Sequence, residues 1–156
     1  MTAIFAVTCD STAEAEAGPC GKLKQWGLAV ASCEIDELWY VNRCKGGDLG
    51  SVQFHERSVK AKEIESLEAA LEAAKGLRPV FIEGPAKMRQ DTVELHAYRH
   101  PKDAIYVFGG DRAAGLWQAF AKVAGADWVC LTMRRGVYGT MAGFAVAYDR
   151  HAKSNR

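Results

Sequence analysis

Short runs rich in β-branched and aromatic residues recur along this chain, and segments with a helical period separate them. The runs are Ala3–Thr8, Glu37–Val41, Pro79–Glu83, Ala104–Phe108 and Asp127–Leu131. Most are continuously apolar rather than alternating, the pattern of strands buried on both faces. Ile64, Leu67, Leu71 and Ala74 form a stripe at i, i+3, i+7 and i+10, leaving Lys60, Lys62, Glu63, Glu65, Glu68 and Glu72 to face water. Gly76 is placed to close that helix as its C′ residue. A second helical segment lies between Gly21 and Cys33, weakened by about 1 kcal/mol at Gly27. A third opens near Asp111, a good N-cap, with Leu116, Phe120 and Val123 on one side. The last runs from about Tyr138 to His151: Met141, Ala145 and Tyr148 share a face, and Gly139, Ala142, Gly143 and Ala147 keep the helix slim. Strands alternating with helices imply βαβ units, hence an α/β fold with a mainly parallel sheet covered by helices on both faces. The stretches 43–59 and 84–101 carry no such signal.

A chain of 156 residues suits one domain over 1–156 and is too short for two of ordinary size. Its net charge of +1 provides no global basic field, so contact with nucleic acid has to come from a local patch. Cys9, Cys20, Cys33, Cys44 and Cys130 are odd in number and contain no C-x-x-C pair, which argues against a disulfide framework and a zinc site. A reducing cytoplasm is the expected compartment. The apolar run Ala3–Val7 is too short for a signal sequence or a membrane span.

In a parallel sheet, ligands bind in the loops beyond the carboxyl ends of the strands. Three such loops contain glycine. Ala104–Phe108 runs into Gly109-Gly110-Asp111-Arg112, Pro79–Glu83 into Gly84-Pro85, and Asp127–Leu131 into Thr132-Met133-Arg134-Arg135-Gly136-Val137-Tyr138-Gly139-Thr140. Glycine directly after a strand lets the backbone turn sharply and approach a ligand closely. The dinucleotide fingerprint G-x-G-x-x-G is absent. Arg112, Arg134 and Arg135, all at this rim, are the candidates for phosphate contacts.

The stretch Asp103–Leu116, with Phe108-Gly109-Gly110-Asp111 and Gly115-Leu116, resembles the second motif of SpoU-type SPOUT RNA methyltransferases. Val129-Cys130-Leu131-Thr132-Met133, followed by a loop and a small-residue helix ending Ala147-Tyr148-Asp149, is similar to their third motif. The resemblance spans 78–151 and implies a sheet whose C-terminal segment is threaded into a trefoil knot, an exception to the unknotted norm. It implies S-adenosylmethionine among the three loops, at Glu83, Gly84, Phe108, Gly109, Gly110, Leu131, Met133, Gly136, Gly139 and Thr140. It also implies RNA (tRNA or rRNA) as partner, methyl transfer to a ribose 2′-hydroxyl, and a homodimer through the C-terminal helix, without metal or membrane.

Three positions depart from that pattern. The SpoU type carries an Asn and an Arg on its first helix; Gly18–Trp26 holds neither, and Lys22 and Lys24 lack the guanidinium fork. Val137–Met141 replaces the usual Ser-Leu-Asn, and Asp111 replaces Glu. No catalytic residue is therefore assigned. A non-catalytic SPOUT-like protein binding S-adenosylmethionine or RNA, and an unrelated nucleotide-binding α/β domain, remain alternatives. His55, His96, His100 and His151 lack metal-ligand spacing and read as surface or capping residues. Cys44 reads as an unreactive thiol, and Trp26, Trp39, Trp117 and Trp128 as core.

Overall fold

The computed structural model describes residues 1–9, 18–33, 35–42, 60–84, 90–109, 115–131 and 139–156. Among the described residues are seven strands: β1 (Ala3–Cys9), β2 (Glu37–Asn42), β3 (Lys60–Ile64), β4 (Arg78–Glu83), β5 (Thr92–Glu94), β6 (Ala104–Phe108) and β7 (Asp127–Cys130). Every pairing is parallel, in the order β3-β2-β1-β6-β4-β7-β5. The helices are α1 (Gly18–Ser32), α2 (Leu67–Ala73), α3 (Leu116–Phe120) and α4 (Gly139–Ser154).

Each central strand feeds two cores, because successive side chains point to opposite faces. Phe5, Val7, Val80, Ile82, Tyr106, Phe108 and Val129 pack with Trp26 and Val30 of α1 and with Ala142, Val146 and Ala147 of α4. Ile4, Ala6, Phe81, Ile105, Val107 and Trp128 pack with Ala70 of α2 and with Leu116 and Phe120 of α3. In the second layer Phe81 stacks between Trp128 (4.5 Å between centroids) and Phe120 (5.2 Å). This double burial explains the unbroken apolar runs of β1, β4 and β6.

The structure corrects the reading of Lys60–Ala74 as one helix. Lys60–Ile64 is an edge strand paired with β2 from Glu37↔Lys60 to Val41↔Ile64. Its Lys60 reaches Glu37, and Lys62 lies 4.8 Å above the Trp39 ring, so the charges that resembled a helix's wet face guard a sheet edge instead. The helix starts only after Ser66, whose hydroxyl accepts the Ala69 amide at 3.0 Å, a cap worth about 1 kcal/mol. Ala74 is its C-cap, and Gly76, at φ 101°, stands two residues beyond rather than at C′. The third helix begins at Leu116 behind a Gly115 cap, and Asp111 lies outside the described residues. Part of the unassigned stretch 84–101 contributes β5 and a 3-10 turn over Leu95–Ala97.

In α4 the face of Met141 and Tyr148 points to water; the buried face is Ala142, Gly143, Val146, Ala147 and Arg150. Gly143 is required there, because a Cβ would run into the Trp26 indole. Trp26 in turn packs on Phe108, 5.0 Å between ring centroids.

Candidate functional site

The register of the central strands sets three strand ends level. Ile82 is opposite Phe108, and Glu83 is opposite Cys130. β6, β4 and β7 are neighbours, so the loops leaving them start within about 10 Å of one another at ordinary strand spacing. Glu83, Gly84, Phe108, Gly109 and Leu131 therefore share one rim.

Their surroundings differ. Glu83 is buried, and its Oε1 accepts the Trp117 amide at 3.2 Å, joining the end of β4 to the first turn of α3. Gly109 lies beneath the Leu116 side chain, where a Cβ would make ordinary contact at 3.5 Å; at Gly84 a Cβ would meet nothing within 4 Å among the described residues. The Phe108 and Leu131 side chains belong to the core, so at those two positions only backbone groups face the rim loops. Gly139 and Thr140 open α4, and the Thr140 hydroxyl donates to Gln25 Oε1 of α1 at 3.1 Å. Gly110, Met133, Gly136, Arg112, Arg134 and Arg135 lie outside the described residues.

A second polar cluster, not anticipated from the sequence, lies between β6 and α4, at the segment that leads into β6. His100 is no surface residue: its side chain is 3% exposed. Nε2 is 2.8 Å from Asp149 Oδ2, and Nδ1 is 2.8 Å from the Tyr106 hydroxyl. A carboxylate only accepts, so the neutral ring carries its proton on Nε2 and accepts the Tyr106 hydroxyl at Nδ1. Arg150 donates to the carbonyls of Pro101 and Lys102 and to Tyr106 Oη, and Lys153 to Asp149 and the carbonyls of Leu95, His96 and Tyr98. Burial lowers the His100 pKa against the opposing pull of Asp149, and it pushes the Tyr106 phenol up to about 12. These bonds anchor the foot of α4. The available signal was the i, i+1, i+4 set Asp149, Arg150 and Lys153 on a helix face otherwise made of small residues.

Nearby, Asp127 at the start of β7 accepts both Arg78 (2.6 and 3.1 Å) and Tyr98 (2.7 Å). Burial alone would raise its pKa, but these bonds outweigh it and hold the carboxyl below the ordinary carboxylate value. A hollow of about 560 Å³ between α2 and α3 lies over the amino ends of β4 and β6, away from the rim. Among the described residues no group of three His, Cys, Asp or Glu is placed to hold a metal, and no helix is long and apolar enough to cross a membrane.

No family model and no curated protein sequence matches the chain. Solved structures do. The protein in a structural study of the 2-OH methylation of C/U34 on tRNA superposes with a TM-score of 0.68 at 15% identity, covering 99% of this chain and 98% of that one. The A. aeolicus TrmH/SpoU tRNA modifying enzyme gives 0.67 at 12% identity, covering 97% of this chain and 74% of that one. The AdoMet-bound rRNA methyltransferase from Sinorhizobium meliloti gives 0.62 at 13%, and there the chain, 97% covered, spans 56% of the other protein. The parallel order of the sheet, its three level strand ends and these superpositions over nearly the whole chain establish that this protein has the fold of the TrmH/SpoU proteins.

Proposed function

We propose that this chain is an S-adenosylmethionine-dependent RNA methyltransferase, acting on a ribose 2′-hydroxyl of tRNA or rRNA. The observation that carries the reading is the level alignment of the β4, β6 and β7 ends, within a fold that a solved AdoMet-bound rRNA methyltransferase shares. The residues present suit the cofactor. Gly84 and Gly109 present no side chain at the rim, and the carboxylate of Glu83 at the end of β4 is available to a sulfonium cation. When bound, the cofactor supplies an electrophilic methyl group. Glu83, Gly84, Gly109, Gly139 and Thr140, with the backbone at Phe108 and Leu131, are proposed to hold it. Gly110, Met133 and Gly136 are proposed from the sequence, as are Arg112, Arg134 and Arg135 for RNA phosphates. The chain's own task is positioning: it fixes the head of α4 through Thr140 and Gln25 and the first turn of α3 through Glu83.

The working molecule, in this proposal, is a cytoplasmic homodimer of single domains (1–156) with a C-terminal trefoil knot. Met141, Phe144 and Tyr148 are 53%, 39% and 68% exposed on one side of α4, an apolar stripe suited to a second copy. The absence of Asn and Arg from Gly18–Trp26 favours a second reading, a SPOUT-like protein that binds cofactor or RNA without transferring methyl groups. Calorimetric titration with S-adenosylmethionine and its demethylated product tests binding: micromolar affinity for both is expected. Transfer of labelled methyl from the cofactor to total RNA then separates the two readings.

A further inference from the structure

We propose that the Trp117 indole is a stacking platform for an unpaired base of RNA lying across the rim, an inference that rests on the RNA-methyltransferase reading. Trp26, Trp39 and Trp128 are 3%, 7% and 4% exposed, whereas Trp117 is 41% exposed. Leu116 and Phe120 press α3 against the sheet, and Trp117 follows on the wet side with Gln118 and Ala119. Among the described residues its ring has no aromatic partner. Its backbone amide is bonded to Glu83 at the end of β4, which ties its main chain to the sheet.

The amino end of α3 stands at the rim, over Gly109 and beside Glu83. Helical side chains lean toward the amino end of their helix, which directs the indole to the rim and not down the sheet. An exposed indole on a main chain tied to the sheet suits a flat, polarizable ligand. A nucleobase is such a ligand, and stacking tolerates any sequence because every base has a π face. Bases are available for it in loops and single strands and not within an RNA duplex.

The test uses the full chain, its Trp117→Ala and Trp117→Phe variants, a pool of short RNA hairpins with random unpaired loops, and a blunt RNA duplex of equal length. Trp117→Ala should bind the hairpins about 5- to 150-fold more weakly, the range for loss of one base stack. Duplex binding should hold within about twofold, and Trp117→Phe should keep hairpin affinity within about threefold, since its ring still stacks. Equal hairpin binding by Trp117→Ala and the parent, or a parent with no preference for hairpin over duplex, overturns the inference. So does a weaker variant whose sedimentation mass has also changed, which assigns the indole to an interface between copies. Titration with S-adenosylmethionine runs in parallel. A parent that does not bind it sinks the methyltransferase reading, while the hairpin and duplex pair still judges the stacking.

Discussion

His100 Nε2 and Asp149 Oδ2 meet at 2.8 Å across 49 residues of sequence, joining the segment before β6 to the last turns of α4. The imidazole is buried and neutral, and Arg150 and Lys153 reinforce burial in depressing its pKa below 6.5. Between that depressed value and 6.5 the unfolded chain holds more protons than the folded one, so stability rises with pH through this window and falls on acidification. The unfolding midpoint should therefore drop between about pH 7 and pH 5.5, and His100→Gln should flatten that slope. An unchanged slope in the variant would show that other groups carry the acid sensitivity.

Gly143 and Trp26 leave no room for a methyl group between α4 and α1. Gly143→Ala should cost about 1–3 kcal/mol in urea unfolding, the range for overpacking. A Trp26→Leu background should recover part of that loss, and strict additivity in the double variant would argue against a direct clash.

Arg150 is 5% exposed and donates to two carbonyls and a phenol. Arg150→Met keeps the stem and strands those acceptors, so it should destabilise by about 2–4 kcal/mol. Hydrogen exchange should report the loss at Pro101–Ala104 and the foot of α4 before the rim.

Glu83→Gln keeps an acceptor for the Trp117 amide and removes the negative charge. The variant should bind S-adenosylmethionine about fivefold more weakly, roughly 1 kcal/mol, and the demethylated product, whose sulfur is a neutral thioether, with unchanged affinity. Equal losses for both compounds would place the sulfonium away from Glu83.

Tyr148→Glu and Phe144→Glu put a charge on the exposed stripe of α4 without touching its buried face. Sedimentation should find a dimer for the parent and a monomer for the variants, with the thermal midpoint of the monomer lower and no longer dependent on concentration.

The central sheet was legible because burial on two faces leaves an unbroken apolar run, as in Ala104–Phe108, which the structure reproduces residue for residue. β3 was not, because an edge strand has one neighbour and can be written in charged residues: Lys60, Lys62 and Glu63 match a helix surface equally well. β5 is three residues long, too short for any period to register. At the rim, Glu83, Gly84 and Gly109 were readable as residues after strands, but that Phe108 and Leu131 turn inward depends on which face each strand end presents. His100 is buried against the sequence expectation of a surface residue because Asp149, 49 residues away, is brought to it by the packing of α4, where the Tyr106 hydroxyl of β6 meets the same ring. Residue type alone argues for a core Trp117; its exposure follows from a helix with only Leu116 and Phe120 buried.

The middle of the sheet also sets a timetable for synthesis. β1 is an interior strand, and its neighbour toward the centre is β6, with Ala3 opposite Ala104. Until the ribosome has made that second strand, β1 has β2 on one side and a bare line of amides and carbonyls on the other. At about 5–20 residues per second, the intervening hundred or so residues take roughly 5–20 s. Through that interval the β6 side of β1 stays open, and any foreign strand that docks there takes the place reserved for β6.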